Sequence, residues 1–261
     1  MIRMKNVYKS FHGNKVLRGL NLEIPDGEIF VLVGKSGSGK SVVLKHLMGL
    51  LKPEEGEVLI DEDDMAKLSG YPLLEKLMDV GMIFQGGALF DSMTVAQNVG
   101  FYLKEHQMRG GQKIAKSDIR KYVEESLEKV GLKGTEELYP ASLSGGMRKR
   151  ASIARSVSYK PKYLFYDEPT TGLDPVTSQT IAKLIVNQQE ELQGTTLVVS
   201  HDIPTALAIA DRIGLIEEGK IEFVAKPQEF MKYNHPIIKV FNEIIGGDLS
   251  LIGKERHGKS T

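Results

Sequence analysis

An α/β fold with a mostly parallel core sheet is the architecture this chain predicts, on three observations. Ile29–Val33 is an unbroken apolar run, the pattern of a strand buried on both faces. A glycine-rich loop follows it and leads into residues 42–51, whose apolar side chains recur at helical spacing. From Ser144 onward, strand and helix patterns alternate, as they do when helices cover a parallel sheet.

Each element follows in turn. Residues 2–7 and 20–24 alternate apolar and polar side chains, as half-buried strands do, with His12-Gly13-Asn14 as the turn between them. Pro25-Asp26-Gly27 is a second turn. The helix over 42–51 is expected to end at Pro53. Residues 58–60 and 80–84 are further short strands. From Thr94 to about Tyr139 the chain becomes polar and helical. Ile119, Tyr122, Val123, Leu127 and Val130 fall close to a 3.6-residue period, which predicts a helical insert closing near Pro140. A helix (144–159), a strand (163–166), a helix (175–193), a strand (196–200) and a helix (204–210) come next. A hairpin turns around Glu218-Gly219, and residues 246–261, rich in Gly and Lys, are expected to form a flexible tail.

Composition narrows the function. Lys plus Arg is 34 and Asp plus Glu is 34 in 261 residues, so there is no basic excess to meet a nucleic acid. The absence of Cys removes disulfides, thiolate metal sites and cysteine nucleophiles. No basic start followed by an apolar core announces a secretory signal. No apolar run approaches the ~20 residues of a membrane helix. A cytoplasmic chain is expected, and any membrane role would come through a partner.

Gly34-Lys35-Ser36-Gly37-Ser38-Gly39-Lys40-Ser41 matches the phosphate-loop pattern G-x-x-x-x-G-K-[ST], with a buried strand before it and a helix after it. Its glycines let backbone N–H groups approach phosphates, and the helix N-terminus faces their charge. Lys40 is the candidate for the β- and γ-phosphates and Ser41 for Mg²⁺. The apolar strand over 163–166 delivers Asp167 and Glu168 at its C-terminal end, where ligands bind in open α/β sheets. Asp167 is a candidate Mg²⁺ ligand, and Glu168 a candidate to orient or deprotonate a water. Alone, an Asp-Glu pair after a strand is usually a solvated turn; the phosphate loop lifts it above that.

Further residues carry a family resemblance. Leu143-Ser144-Gly145-Gly146 lies just ahead of the Asp167 strand and resembles the signature motif of ATP-binding-cassette (ABC) ATPases. Gln85 stands where the family has its Q-loop glutamine, Gly172-Leu173-Asp174 is similar to the D-loop, and His201 to the H-loop histidine. Phe11 sits where the family stacks an aromatic on adenine, with Tyr8 as the near alternative. The resemblance implies the P-loop NTPase fold of ABC ATPases over residues 1–245. That fold has an N-terminal antiparallel β subdomain and an α-helical subdomain, here at about 94–159. It also implies ATP and Mg²⁺ as cofactors and a head-to-tail pair of subunits. ATP would lie between the phosphate loop (Gly34 to Ser41) of one copy and the signature turn (Ser144, Gly145 and Gly146) of the other, with Phe11 and Asp174 as further candidate ATP contacts. Glu168, His201 and Gln85 are then the catalytic candidates, and Ser41, Gln85 and Asp167 the metal candidates.

Met147-Arg148-Lys149-Arg150 departs from the Gln that many family members carry after the signature, and it resembles Mla-type lipid-trafficking ATPases. Residues 87–95 and Ser200-His201-Asp202-Ile203-Pro204 agree. The Mla-type resemblance implies phospholipid transport between inner and outer membrane, with the chain on the cytoplasmic face of the inner membrane. Its partners would be an integral permease docked on residues 85–95 and an Mce-domain protein. The three basic residues after Met147 otherwise read as a solvated helix turn. Leu89, Phe90, Met93 and Val95 are apolar in a loop expected to be exposed, a mark of an interface. Ile237, Val240, Phe241, Ile244 and Ile245 share one helix face, suited to packing on the chain's own domain or on a partner subunit. An ABC importer for a small polar solute is the alternative function. A soluble ABC ATPase acting on ribosomes or DNA is more remote, and a P-loop small-molecule kinase would not need Leu143 to Gly146.

Overall fold

The computed structural model describes residues 1–245 and divides the chain into two compact units, one formed by residues 1–73 and the chain from Thr195 on, the other by residues 74–194. The chain opens with β1 (Ile2–Phe11), β2 (Asn14–Ile24), β3 (Ile29–Val33), α1 (Lys40–Leu47), β4 (Glu55–Ile60), β5 (Asp63–Asp64) and α2 (Gly70–Leu77). Then come β6 (Val80–Ile83), α3 (Val95–His106), β7 (Met108–Arg109), β8 (Gln112–Lys113), α4 (Ile119–Lys129), α5 (Gly145–Val157), β9 (Tyr163–Asp167) and α6 (Pro175–Leu192). It continues through β10 (Thr195–Ser200), α7 (Ile203–Ile209), β11 (Arg212–Glu217), β12 (Lys220–Ala225), α8 (Pro227–Phe230) and α9 (Pro236–Ile245).

In the first unit, an antiparallel sheet has the order β2-β1-β4-β5, and a second set of strands runs β12-β11-β3-β10. There β3 pairs in parallel with both β10 and β11, and β12 closes the edge antiparallel. Every residue of β3 and β10 is buried, which is why β3 and the Leu197-Val198-Val199 centre of β10 read as continuous rather than alternating apolar runs, with Thr195, Thr196 and Ser200 as buried hydroxyls at the ends of β10. In the second unit, β6 and β9 pair in parallel, from Val80 opposite Tyr163 to Ile83 opposite Tyr166. Gly81 lets α5 lie close to β6, since a Cβ there would fall 2.7 Å from the Ser156 carbonyl oxygen.

Several boundaries differ from expectation, each for a local reason. α1 stops at Leu47 rather than near Pro53. Gly49 takes the left-handed φ of 65°, and its N–H donates to the His46 carbonyl at 3.0 Å, so the chain turns before the proline. The β7–β8 hairpin, unforeseen in the insert, forms around Gly110-Gly111, both at positive φ. Val95, expected in an exposed loop, is fully buried because α3 begins with it, and its N–H donates to the Leu138 carbonyl at 2.8 Å. Leu89 and Met93 are half-buried; Phe90 is 43% exposed and leans on Phe101 with ring centroids 5.0 Å apart. In α9 it is Ile238 that turns inward, while Val240 is 55% exposed and Ile237 and Phe241 are half-buried. The side chains of Ile244 and Ile245 and the expected tail over 246–261 lie outside the described residues.

Asn98 gathers the irregular chain just ahead of α3. Asn98 is completely buried; its Oδ1 accepts from Phe90 N–H at 2.8 Å, and its Nδ2 donates to the carbonyls of Phe90, Met93 and Thr94 at 3.0–3.2 Å. Thr94 and Gln97 add a reciprocal capping box at the start of α3. Asn98→Ala strands buried polar groups and is expected to lower stability by about 2–4 kcal/mol in denaturant melts; a loss too small to measure would contradict this clamp.

Candidate functional site

The phosphate-loop residues leave β3 as an arch. Gly37 (φ 82°) and Gly39 (φ 108°) hold the left-handed backbone that side chains resist, and no neighbouring atom would meet a Cβ on Gly37. Gly34 is required for close approach, because a Cβ there would fall 2.4 Å from the Ile216 carbonyl oxygen. Gly39 stands at the N-cap of α1 without a side-chain cap, so the N–H groups of the first turn face outward for an anion. Lys40 is buried at 6% exposure, and its ammonium donates to the carbonyls of Gly34 at 2.7 Å and Lys35 at 3.1 Å. Ser38 Oγ is buried with no hydrogen-bond partner, as fits a loop built to close on a polar ligand. Ser36 and Ser41 are exposed.

His201 follows β10. Since Ser200 stands opposite Val33 in the parallel pair, His201 and Gly34 leave neighbouring strands at the same end. His201 is exposed, and Asp202 behind it caps α7, accepting from the Thr205 N–H at 3.2 Å and hydroxyl at 2.6 Å. Phe11 ends β1 opposite Asn14 and is 37% exposed, with the Lys9 ammonium 5.7 Å from its ring centre. Tyr8 instead covers Gly19, where a Cβ would fall 2.7 Å from its hydroxyl. Of the two aromatics, Phe11 is therefore the one at the hairpin tip.

In the second unit, the ends of β6 and β9 bring Gln85 together with Asp167 and Glu168. Glu168 adopts φ 47°, a strained conformation for a residue with a side chain, and its carboxylate accepts from the Thr171 hydroxyl at 3.1 Å. Ser144 caps α5, accepting from the Met147 N–H at 3.2 Å, and both Ser144 and Gly145 are exposed. Gly146 packs on α6, since a Cβ there would lie 2.7 Å from Thr177 Cγ2. Asp174 caps α6 through the N–H groups of Val176 and Thr177 and accepts the Thr177 hydroxyl at 2.5 Å. That hydroxyl, with the two N–H groups, holds its carboxyl below the usual range. Ser144, Gly145, Gly146, Arg150, Asp174 and Thr177 line one cavity of about 370 Å³, so the signature and D-loop segments form a single surface.

Of the basic residues after the signature, Arg148 is exposed and Arg150 half-buried, but Lys149 is not solvated. Lys149 is 4% exposed, and its ammonium donates to the carbonyls of Gln85 at 2.6 Å and Phe84 at 3.2 Å. Burial pushes it down to about 8, against the raising effect of Asp167 and Glu168. Arg148 donates to the Leu143 carbonyl at 2.6 Å, and Arg150 to the carbonyls of Val130 and Gly131 at 3.1 Å. Each side chain satisfies backbone oxygens of a loop, a role that a basic run in a sequence does not reveal. Among the described residues, no group of three His, Cys, Asp or Glu side chains is placed to hold a metal ion by itself, and no helix is long and apolar enough to cross a membrane.

A phosphate loop opening a helix, a strand ending in Asp-Glu and a capped signature turn define a P-loop nucleotide hydrolase. The chain belongs to the ABC transporter family, whose model matches residues 17–171, more than half of it, and it is an ATP-hydrolysing subunit of that family. It is 39% identical to the intermembrane phospholipid transport system ATP-binding protein MlaF of Haemophilus influenzae over 85% of this chain and 82% of that protein. It is 38% identical to a probable ribonucleotide transport ATP-binding protein, mkl, of Mycobacterium leprae, over 92% of this chain. The chain spans about two-thirds of the length of the mycobacterial relatives, 68% of that one. A solved dimeric ATP-binding cassette, MJ0796, in a post-hydrolysis state with ADP and phosphate, superposes with a TM-score of 0.78 at 33% identity, covering 87% of this chain and 99% of that one.

Proposed function

We propose that this chain is the ATP-hydrolysing motor of a transporter that moves phospholipid between inner and outer membrane. It works as a head-to-tail pair on the cytoplasmic face of the inner membrane, beneath an integral permease and with an Mce-domain protein in the complex. The observation that carries the paired mechanism is the exposed N-terminus of α5. Ser144 and Gly145 face solvent beside Asp174, a helix end suited to a phosphate brought by a second copy. Lipid as the cargo is supported by the 39% identity to the phospholipid-transport protein and by Met147-Arg148-Lys149-Arg150 after the signature.

In this reading residues 1–245 form the ABC ATPase domain, with a helical subdomain at about 94–159. Phe11 stacks on the adenine, and the N–H groups from Gly34 to Ser41 cradle the phosphates, with Lys40 already directed into the arch. The partner's Ser144, Gly145 and Gly146 close on the γ-phosphate. Glu168 takes the proton of the attacking water and Thr171 keeps its carboxylate aimed, while His201 holds the water against the γ-phosphate. Ser41, Asp167 and Gln85 are the residues that would hold Mg²⁺ along with phosphate oxygens, a ligand set with few protein donors that suits this cation. When bound, Mg²⁺ neutralises charge on the phosphoryl group. Residues 85–95 receive the permease, so that Gln85 links its movements to the site.

Transport of a small polar solute is the second reading, favoured by the likeness to the protein named for ribonucleotide transport. Purification with the neighbouring permease and mass spectrometry of the bound material separates the two: copurified phospholipid is expected, and a polar solute without lipid would overturn the lipid assignment. Glu168→Gln is expected to retain ATP binding and pairing while hydrolysis falls by about 10²–10⁴-fold. An unchanged turnover in a phosphate-release assay would remove Glu168 from its role.

A further inference from the structure

Between β6 and α3 the backbone forms neither helix nor strand, so many of its carbonyls take donors from outside the segment. Asn98 meets those of Phe90, Met93 and Thr94, and one side of α5 meets others. Lys149 donates to Phe84 and Gln85, and Ser156 Oγ reaches back to the Met82 carbonyl of β6 at 2.9 Å. Arg155 donates to the Ala88 carbonyl at 2.6 Å and the Gly87 carbonyl at 3.4 Å, and its guanidinium lies 5.8 Å from the Phe90 ring centre. Lys149, Ser152 and Ser156 follow at helical spacing, and a Cβ on Gly87 would lie 3.7 Å from that of Ser152. The carbonyls of Met82, Phe84, Gln85, Gly87 and Ala88 are thus tied to a single helix. That helix is the one Ser144 caps. Charged donors to carbonyls make stronger and more directional bonds than neutral pairs, and a 13-residue helix moves as a stiff unit.

We propose that Lys149 and Arg155 are positioning residues that latch residues 84–90 to the signature helix, so that a displacement of this segment carries Ser144 with it. Neither touches a reacting atom; both act through the backbone they hold. The inference deepens the proposed function, because it rests on that reading for what displaces the segment, a permease, and for what Ser144 meets, a nucleotide. The bonds themselves belong to the chain alone.

The chain contains no Trp, so Phe90→Trp gives a single fluorescent reporter on the latched segment. Time-resolved anisotropy of nucleotide-free protein reads the latch directly. The latch predicts greater local motion of the reporter when Lys149→Met and Arg155→Met are added together. In a Glu168→Gln background, ATP binding is expected to change the emission of the reporter indole, and the two Met substitutions to abolish that change while affinity for a fluorescent ATP analogue stays within about two-fold. Lys149→Arg retains the donors and is expected to restore the response, which a packing role alone would not do. Should Lys149→Met impair folding, Arg155→Met at the half-buried end of the grip carries the same expectation. Unchanged reporter motion and an intact ATP response in the Met variants would overturn the latch. Failure of the Phe90→Trp parent to bind nucleotide would count against the ATPase reading instead, and the nucleotide-free anisotropy would still decide the latch.

Discussion

Parallel pairing makes neighbouring strands release their chains at the same end, and the placement of chemical groups in this protein depends on it. Val33 lies opposite Ser200, so the phosphate loop and His201 emerge side by side. Ile83 lies opposite Tyr166, so Gln85 emerges with Asp167 and Glu168. The strands that do this are short and almost wholly buried, so they fix their ends firmly. These candidate site residues gather at the C-terminal ends of the strands, where the chain is free to turn. Glu168 turns into a left-handed conformation that the Thr171 hydrogen bond accompanies.

Loops at such ends have backbone oxygens with no sheet partner, and this chain meets the need with long or buried polar side chains. Lys40 donates into the phosphate arch, Asn98 gathers the turn before α3, and Lys149 and Arg155 grip the segment after β6. The same device has two consequences. Around Lys40 it holds a cation against the phosphate loop. Along α5 it joins segments far apart in sequence to one helix, and movement in one is felt by the other.

The alternation of elements and the phosphate loop are readable directly, because both rest on strong local constraints. A buried parallel strand favours apolar residues, and an anion arch demands glycine where φ is positive, as at Gly37 and Gly39. The capped turn at Ser144 and the exposed Phe11 are legible in their order along the chain rather than in themselves. What stays hidden is tertiary. Lys149 looks like any solvated lysine until Phe84 and Gln85 present their carbonyls, and Asn98 looks like an ordinary helix-surface amide. Val95 escapes in part: the T-x-x-Q capping pattern from Thr94 to Gln97 marks it as a first helical residue, but its burial rests on tertiary packing. Ile238, not the face of Ile237, Val240 and Phe241, turns inward because the docking of a short helix depends on what it packs against, which periodicity alone does not describe.

The central claim is that each ATP is hydrolysed between the Glu168 of one copy and the Ser144 of another, and mixing two inactive variants tests it. Ser144→Arg and Glu168→Gln each spoil every site in a pure pair. In a mixed pair one site carries both defects and the other carries neither, so an equal mixture recovers about a quarter of the wild-type phosphate-release rate by two-fold symmetry and random pairing. Recovery to that level is the predicted result. A mixture as inactive as its components, with mixed pairs shown to form, would contradict the account.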